Sequence, residues 1–118
     1  MDQEGIVKMG EMPNLKSIYD LSDIVINSPT IGTGLKIKSI EALGFSKALI
    51  STSVGADGLE NGINSVFLLA NNANEFCNAI NSIIFDTNIY LRLCNNASKF
   101  VENWNSDIKD KLSNLLTL

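Results

Sequence analysis

Short apolar runs separated by amphipathic or glycine-bearing stretches constrain this chain more than any other feature. Four runs qualify, at residues 5–10, 23–27, 48–52 and 66–69. In the second, Ile24-Val25-Ile26 shows no apolar–polar alternation. A strand reads this way when both of its faces are covered, as in a parallel sheet flanked by helices. Gly5-Ile6-Val7-Lys8-Met9-Gly10 reads as a strand closed by glycine, and Ala48-Leu49-Ile50-Ser51-Thr52 as a third strand. Val66-Phe67-Leu68-Leu69 reads as a fourth.

Helical spacing fills the intervals. Residues 14–20 place Leu15, Ile18 and Tyr19 on one side, and 36–43 form a helix with Gly44 as its C-cap. Ala73, Phe76, Cys77, Ile80, Ile83 and Ile84 follow i, i+3, i+4 spacing. Asn72 and Glu75 have the spacing of a capping box. Tyr90, Leu93, Cys94, Ala97, Phe100 and Val101 mark the next helix. A final one is expected from about Asn105, with Ile108, Leu112, Leu115 and Leu116 apolar. Strands alternating with helices predict an α/β fold of about four mostly parallel strands with helices on both faces. Ligands in such sheets bind beyond the carboxyl ends of the strands. The loop from Ser28 to Gly34 follows the second strand and is therefore the first place to look.

The composition narrows the function. The chain has 118 residues, enough for one domain, and its 45% hydrophobic and 19% charged content is that of a folded protein. A net charge of −4 speaks against nucleic acid as a partner, because phosphate backbones select basic surfaces. No apolar run approaches the roughly 20 residues of a transmembrane segment. The acidic start, Met1-Asp2-Gln3-Glu4, lacks the basic and apolar regions of a secretory signal, so a cytoplasmic location is expected. The chain contains no histidine, which removes Ser-His and Cys-His nucleophile pairs. Cys77 and Cys94 form no CxxC and read as small core residues. No metal and no cofactor are expected.

The segment from Ile31 to Gly44 is the most informative. Gly32-Thr33-Gly34 lets the backbone approach a bulky anion and present N–H groups to it. The helix that follows directs its positive dipole end to the same place. Lys36 and Lys38 lie in its first turn and supply point charges suited to a diphosphate. Glu41, about one turn further, is suited to accept hydrogen bonds from a cis-diol such as ribose. Read alone, Gly-x-Gly before a helix is common and more often makes only a tight turn than an anion site. It is neither a dinucleotide fingerprint, since Ile37 stands where a third glycine is needed, nor a P-loop. Lys38 and Glu41 also fit a surface i, i+3 ion pair, in the weaker orientation.

Together with its surroundings the segment resembles a known family. Gly32-Thr33-Gly34, Lys36, Lys38, Glu41-Ala42-Leu43, Lys47-Ala48-Leu49-Ile50-Ser51-Thr52 and Gly55-Ala56-Asp57-Gly58-Leu59 resemble the donor-site stretch of group 1 glycosyltransferases of the GT-B fold. Upstream, Ile6 to Gly10 and Tyr19 to Ile26 resemble that family's preceding strands. Downstream, Asn78 to Trp104 resembles its closing helices.

The resemblance implies a Rossmann-like, partial C-terminal nucleotide-sugar-binding domain over residues 1–118, with the N-terminal acceptor domain absent. It implies transfer of a sugar from a nucleotide-diphosphate sugar in the full-length enzyme, usually with retention, of the kind used in polysaccharide biosynthesis. The chain alone is expected to be an inactive fragment that needs its missing N-terminal domain or a partner subunit. In the full-length enzyme a cytoplasmic or membrane-peripheral location follows. Glu41 would hold the ribose hydroxyls, and Gly34 and Leu35 would give backbone N–H groups to the diphosphate. Lys38 and Lys36 would add charge, and Met9, Gly10 and Met12 would lie near the base. No catalytic residue is assigned. Thr33 occupies the position of a second glutamate in many members, eight residues before Glu41, where that residue helps position the donor sugar. Ser46 and Ala48 stand where the family usually has Gly and Pro. The competing reading is a non-catalytic α/β interaction module whose late helices dock on another chain. It predicts exposure of Leu112, Leu115, Leu116 and Leu118.

Overall fold

The computed structural model describes residues 23–29 and 36–116. The expected strand at 5–10 and helix at 14–20 lie outside them, as do Met9, Gly10, Met12, Thr33, Gly34 and Leu35. The described elements are β1 (Ile24–Asn27), α1 (Lys36–Gly44), β2 (Ala48–Ser51), a 3-10 turn (Glu60–Gly62), β3 (Leu68–Leu69), α2 (Ala73–Phe85) and α3 (Thr87–Leu116). The three strands form one parallel sheet in the order β1-β2-β3. Ile24 is opposite Ala48, Asn27 is opposite Ser51, and Ser51 is opposite Leu69.

β2 is the central strand, and all four of its residues are fully buried. Its lack of alternation follows from the helices that cover both faces. Along β1 and β2 the side chains still alternate between two clusters. Val25 and Leu49 join Ala42 and Leu43 of α1 and Ala97, Phe100, Val101 and Trp104 of α3. Ile24, Ala48 and Ile50 join Phe76, Ala79, Ile80 and Ile83 of α2 and Ile89, Tyr90, Leu93 and Cys94 of α3. α3 therefore contributes its first turns to one face of the sheet and its middle turns to the other.

Several elements differ from the sequence reading. β3 is shorter than expected because Val66 and Phe67 fold back, both donating their N–H to the Gly62 carbonyl. They bury their side chains without joining the ladder. The two expected C-terminal helices are one helix of 30 residues. The apolar positions 101, 104, 108, 112 and 115 advance by three or four without a break, and no Gly or Pro interrupts them. After Trp104 every described residue is exposed, including Leu112, Leu115 and Leu116.

Cys77 is exposed and Cys94 only half-buried, not core residues as expected. The buried stripe of α2 is centred on Phe76, Ala79, Ile80 and Ile83. Cys77 stands roughly 100° around the helix from Phe76 and so points off the stripe. Ile84 and Phe85, 60% and 82% exposed, fall outside it as well.

Gly44 is not the cap of α1. The N–H of Ser46 reaches the Leu43 carbonyl and that of Lys47 reaches the Ala42 carbonyl, the pair of bonds of a Schellman motif. Ser46 holds the left-handed position with φ 59°. Asn72 caps α2 as expected, its side chain accepting from the Glu75 N–H at 2.9 Å. Glu75 completes the cap by accepting from the Asn71 N–H and the Asn72 side-chain amide.

Candidate functional site

β1 and β2 both run out at one end of the sheet, and the segments leaving them are laced together there by polar bonds. The ladder continues one step past β2, where the Thr52 N–H meets the Asn27 carbonyl at 3.1 Å. The Thr52 hydroxyl then donates to the Pro29 carbonyl at 2.6 Å and accepts the Gly55 N–H at 3.1 Å. Asn27 Nδ2 donates to Ser39 Oγ at 2.9 Å, and that hydroxyl donates to the Gly55 carbonyl at 2.8 Å. Ser39 and Ser51 are fully buried, Thr52 nearly so, and no buried side-chain polar atom among the described residues lacks a partner. Such satisfied buried networks rigidify what they join. Gly55 is indispensable to the packing: a Cβ there would stand 2.5 Å from Ser51 Oγ and 2.9 Å from Asn27 Nδ2.

α1 starts just past this lacing. Its inward face presents Ser39, Ala42 and Leu43, all fully buried. Lys38 and Glu41 lie three positions apart on the remaining face, Lys38 exposed and Glu41 partly so. Among the described residues no hydrogen bond or ion pair engages either side chain, so the i, i+3 pair allowed by the spacing does not form. Lys36 opens the helix, and its side chain lies outside the described set. Of the expected site residues the structure therefore places Lys38 and Glu41 on one face of α1.

Sequence reading did not single out Asn27, Ser39, Thr52 and Gly55 as a group. A signal existed for one of them: Ser39 shares helical phase with Ala42 and Leu43, so a hydroxyl had to be buried and satisfied there. The rim extends to β3, where the Asn71 side chain accepts from the Ser53 N–H and donates to the Ser53 hydroxyl. At the amino end of the sheet lies a shallow recess of about 290 Å³ lined by Asp23, Ile24, Ile83, Ile84, Thr87 and Tyr90. Burial raises the Tyr90 phenol above its ordinary value of 10.0, and Cys94 and Asp23 add to the effect. Among the described residues no cluster of acidic or cysteine side chains is placed to hold a metal ion. No described helix is long and apolar enough to cross a membrane.

A parallel sheet with helices packed on both faces, and a helix that starts beyond its carboxyl ends, defines a Rossmann-like α/β domain. The family model for group 1 glycosyl transferases matches residues 2–86, and the chain belongs to that family. No curated protein matches the chain in sequence. Among solved structures it is similar to the C-terminal domain of a glycosyl transferase group 1 family protein (LpcC) from Francisella tularensis. That similarity has a TM-score of 0.70 at 19% identity, over 83% of this chain and 51% of that one. It is also similar to sucrose-phosphate synthase from Thermosynechococcus elongatus, with a TM-score of 0.63 at 20% identity, over 87% of this chain and 28% of that one. At these identities the likeness is one of fold. The chain thus spans about half the length of the first relative and less than a third of the second. Family membership favours the glycosyltransferase domain over a non-catalytic interaction module.

Proposed function

We propose that residues 1–118 form part of the donor-binding half of a group 1 glycosyltransferase and bind the nucleoside diphosphate of a nucleotide-sugar at the carboxyl edge of the sheet. The acceptor half lies outside these residues, in another domain or subunit of a full-length enzyme that works in the cytoplasm or at a membrane surface. The observation that carries this reading is the pairing of Lys38 and Glu41 on one face of α1, accessible and without a partner among the described residues. An ammonium and a carboxylate about one turn apart, kept from each other, suit a ligand with an anionic part and a diol part.

On this reading Glu41 accepts hydrogen bonds from the ribose hydroxyls, and Lys38, with Lys36, neutralises the diphosphate. Gly34 and Leu35 give it backbone N–H groups, beside the positive end of the α1 dipole. Thr33 hydrogen-bonds the donor sugar without the charge that a glutamate brings there. Met9 and Gly10 lie against the base.

Titration with UDP, GDP and ADP, followed by backbone amide NMR, tests the proposal. It expects shifts centred on Gly34, Lys38 and Glu41 with at least one of the three. No shift at these residues at millimolar ligand overturns it.

A further inference from the structure

The chain leaving β1 and the helix α1 are tied to a single turn. Two residues past β1 the Pro29 carbonyl accepts from the Thr52 hydroxyl, 23 positions away in the chain. Within α1, Ser39, one residue after Lys38 and two before Glu41, donates to the carbonyl of Gly55. Thr52 and Gly55 are in turn joined, the Gly55 N–H donating to the Thr52 hydroxyl at 3.1 Å.

The direction of these bonds is determined by chemistry. An amide N–H only donates and a carbonyl only accepts, so the single proton of the Ser39 hydroxyl must point at Gly55 while Asn27 Nδ2 fills one of its lone pairs. The Thr52 proton is likewise committed to Pro29 while its oxygen receives Gly55. Ser39 has no exposed surface and Thr52 is 6% exposed, so water cannot readily substitute for a lost partner. Gly55 admits no side chain, because a Cβ would meet Ser51, Asn27 and Pro29.

We propose that the turn from Thr52 to Gly55 is a positioning element for the diphosphate site, holding the Lys38–Glu41 helix through Ser39 and the chain leaving β1 at Pro29 through Thr52. It rests on the ligand reading of the preceding subsection. Ser39 and Thr52 touch no ligand; they fix where α1 sits against the carboxyl ends of β1 and β2.

The experiment measures Kd for UDP, GDP and ADP by amide NMR on the chain and on Ser39→Ala, Thr52→Val and Asn27→Asp. Asn27→Asp keeps the shape of the side chain but replaces the amide that donates to Ser39 with a carboxylate, and measuring its Kd at low and high salt separates the lost bond from the added charge. The control is Ile83→Val, in the cluster on the other face of the sheet, which lowers Tm without touching the turn. The expected result is about tenfold weaker binding in each of the three variants and unchanged binding in the control. With Lys38→Ala as background, the effect of Ser39→Ala shrinks, because the group it positions is gone. Equal Kd values in wild type and variants, or a Ser39→Ala effect fully additive with Lys38→Ala, overturn the positioning role and leave the ligand reading standing. A wild-type chain that binds none of the three nucleotides overturns both.

Discussion

Lys47 donates its backbone N–H to the carbonyl of Ala42 at 3.2 Å, closing the end of α1 across Ser46, whose φ is 59°. A side chain in the left-handed region carries a steric cost that glycine avoids. Glycine is also what the family usually has at this place. Ser46→Gly is therefore expected to stabilise the fold by about 0.5–1 kcal/mol, the relief of strain less the extra chain entropy of glycine. Urea denaturation with a higher midpoint and an unchanged m-value checks it, and a β-branched residue at the same site should move the midpoint the other way.

Gly55 represents the opposite case, a glycine required by close approach. Gly55→Ala forces its new methyl against Ser51 Oγ, Asn27 Nδ2 and Pro29 Cδ. A loss of about 1–3 kcal/mol is expected, the usual cost of overpacking. If thermal melting shows Gly55→Ala to be neutral, the tight lacing at the end of the sheet is wrong.

Asn72 and Glu75 hold the start of α2 by side-chain bonds in both directions. Asn72→Ala should cost about 1 kcal/mol, and Asn72→Ser much less, because a hydroxyl also caps. Equilibrium unfolding of the two variants side by side discriminates them.

Lys38→Ala and Glu41→Ala remove accessible side chains without partners among the described residues, so stability should change by no more than about 0.5 kcal/mol. Nucleoside diphosphate binding should nevertheless fall by about tenfold or more in each. Glu41→Gln, which keeps an acceptor, should retain part of the affinity. Calorimetric titration beside thermal melting separates the two effects.

Tyr90 supplies a prediction in pH. Burial raises its phenol above 10.0, and the charge and hydrogen bond of Cys94 and the charge of Asp23 act in the same direction. A raised folded value means that the native state keeps the proton longer than the unfolded chain does. The associated stability is present below pH 10 and is lost as pH rises through the folded value. NMR titration of the phenol, assigned with Tyr90→Phe, should show a value above the ordinary one that moves back down in Cys94→Ala.

Much of this fold was legible in the sequence for a definite physical reason. Ala48 to Ser51 lacks alternation because helices cover both faces of β2, and that pattern survives without knowledge of tertiary contacts; in β1 Val25 is buried while Ile26 is 44% exposed. The cap at Asn72 was equally visible, since capping is local. What escaped was set by longer-range geometry. Val66 and Phe67 look like strand residues, yet the tight return to Gly62 takes them out of the ladder while keeping them buried. Gly44 invited a C-cap, but the helix runs on until Ser46 turns it. Of the proposed site, Lys38 and Glu41 were singled out by residue type and spacing. The ties Asn27–Ser39, Ser39–Gly55 and Thr52–Pro29 join positions 12, 16 and 23 apart and carried no local pattern, apart from a serine on an apolar helical face.

The passage of α3 from one face of the sheet to the other has a consequence for how the molecule comes apart. Because the same helix supplies Leu93 to one cluster and Ala97 to the other, neither cluster can dissolve without disturbing its counterpart. Melting through Trp104 should be a single cooperative event with one set of slow-exchanging amides. Beyond Trp104 every described residue of the helix is exposed, and a stretch that short without a buried face is marginal in water. Its amides should exchange by local fraying, many times faster than those of β2, so that hydrogen exchange draws the boundary of the cooperative unit across the middle of one continuous helix.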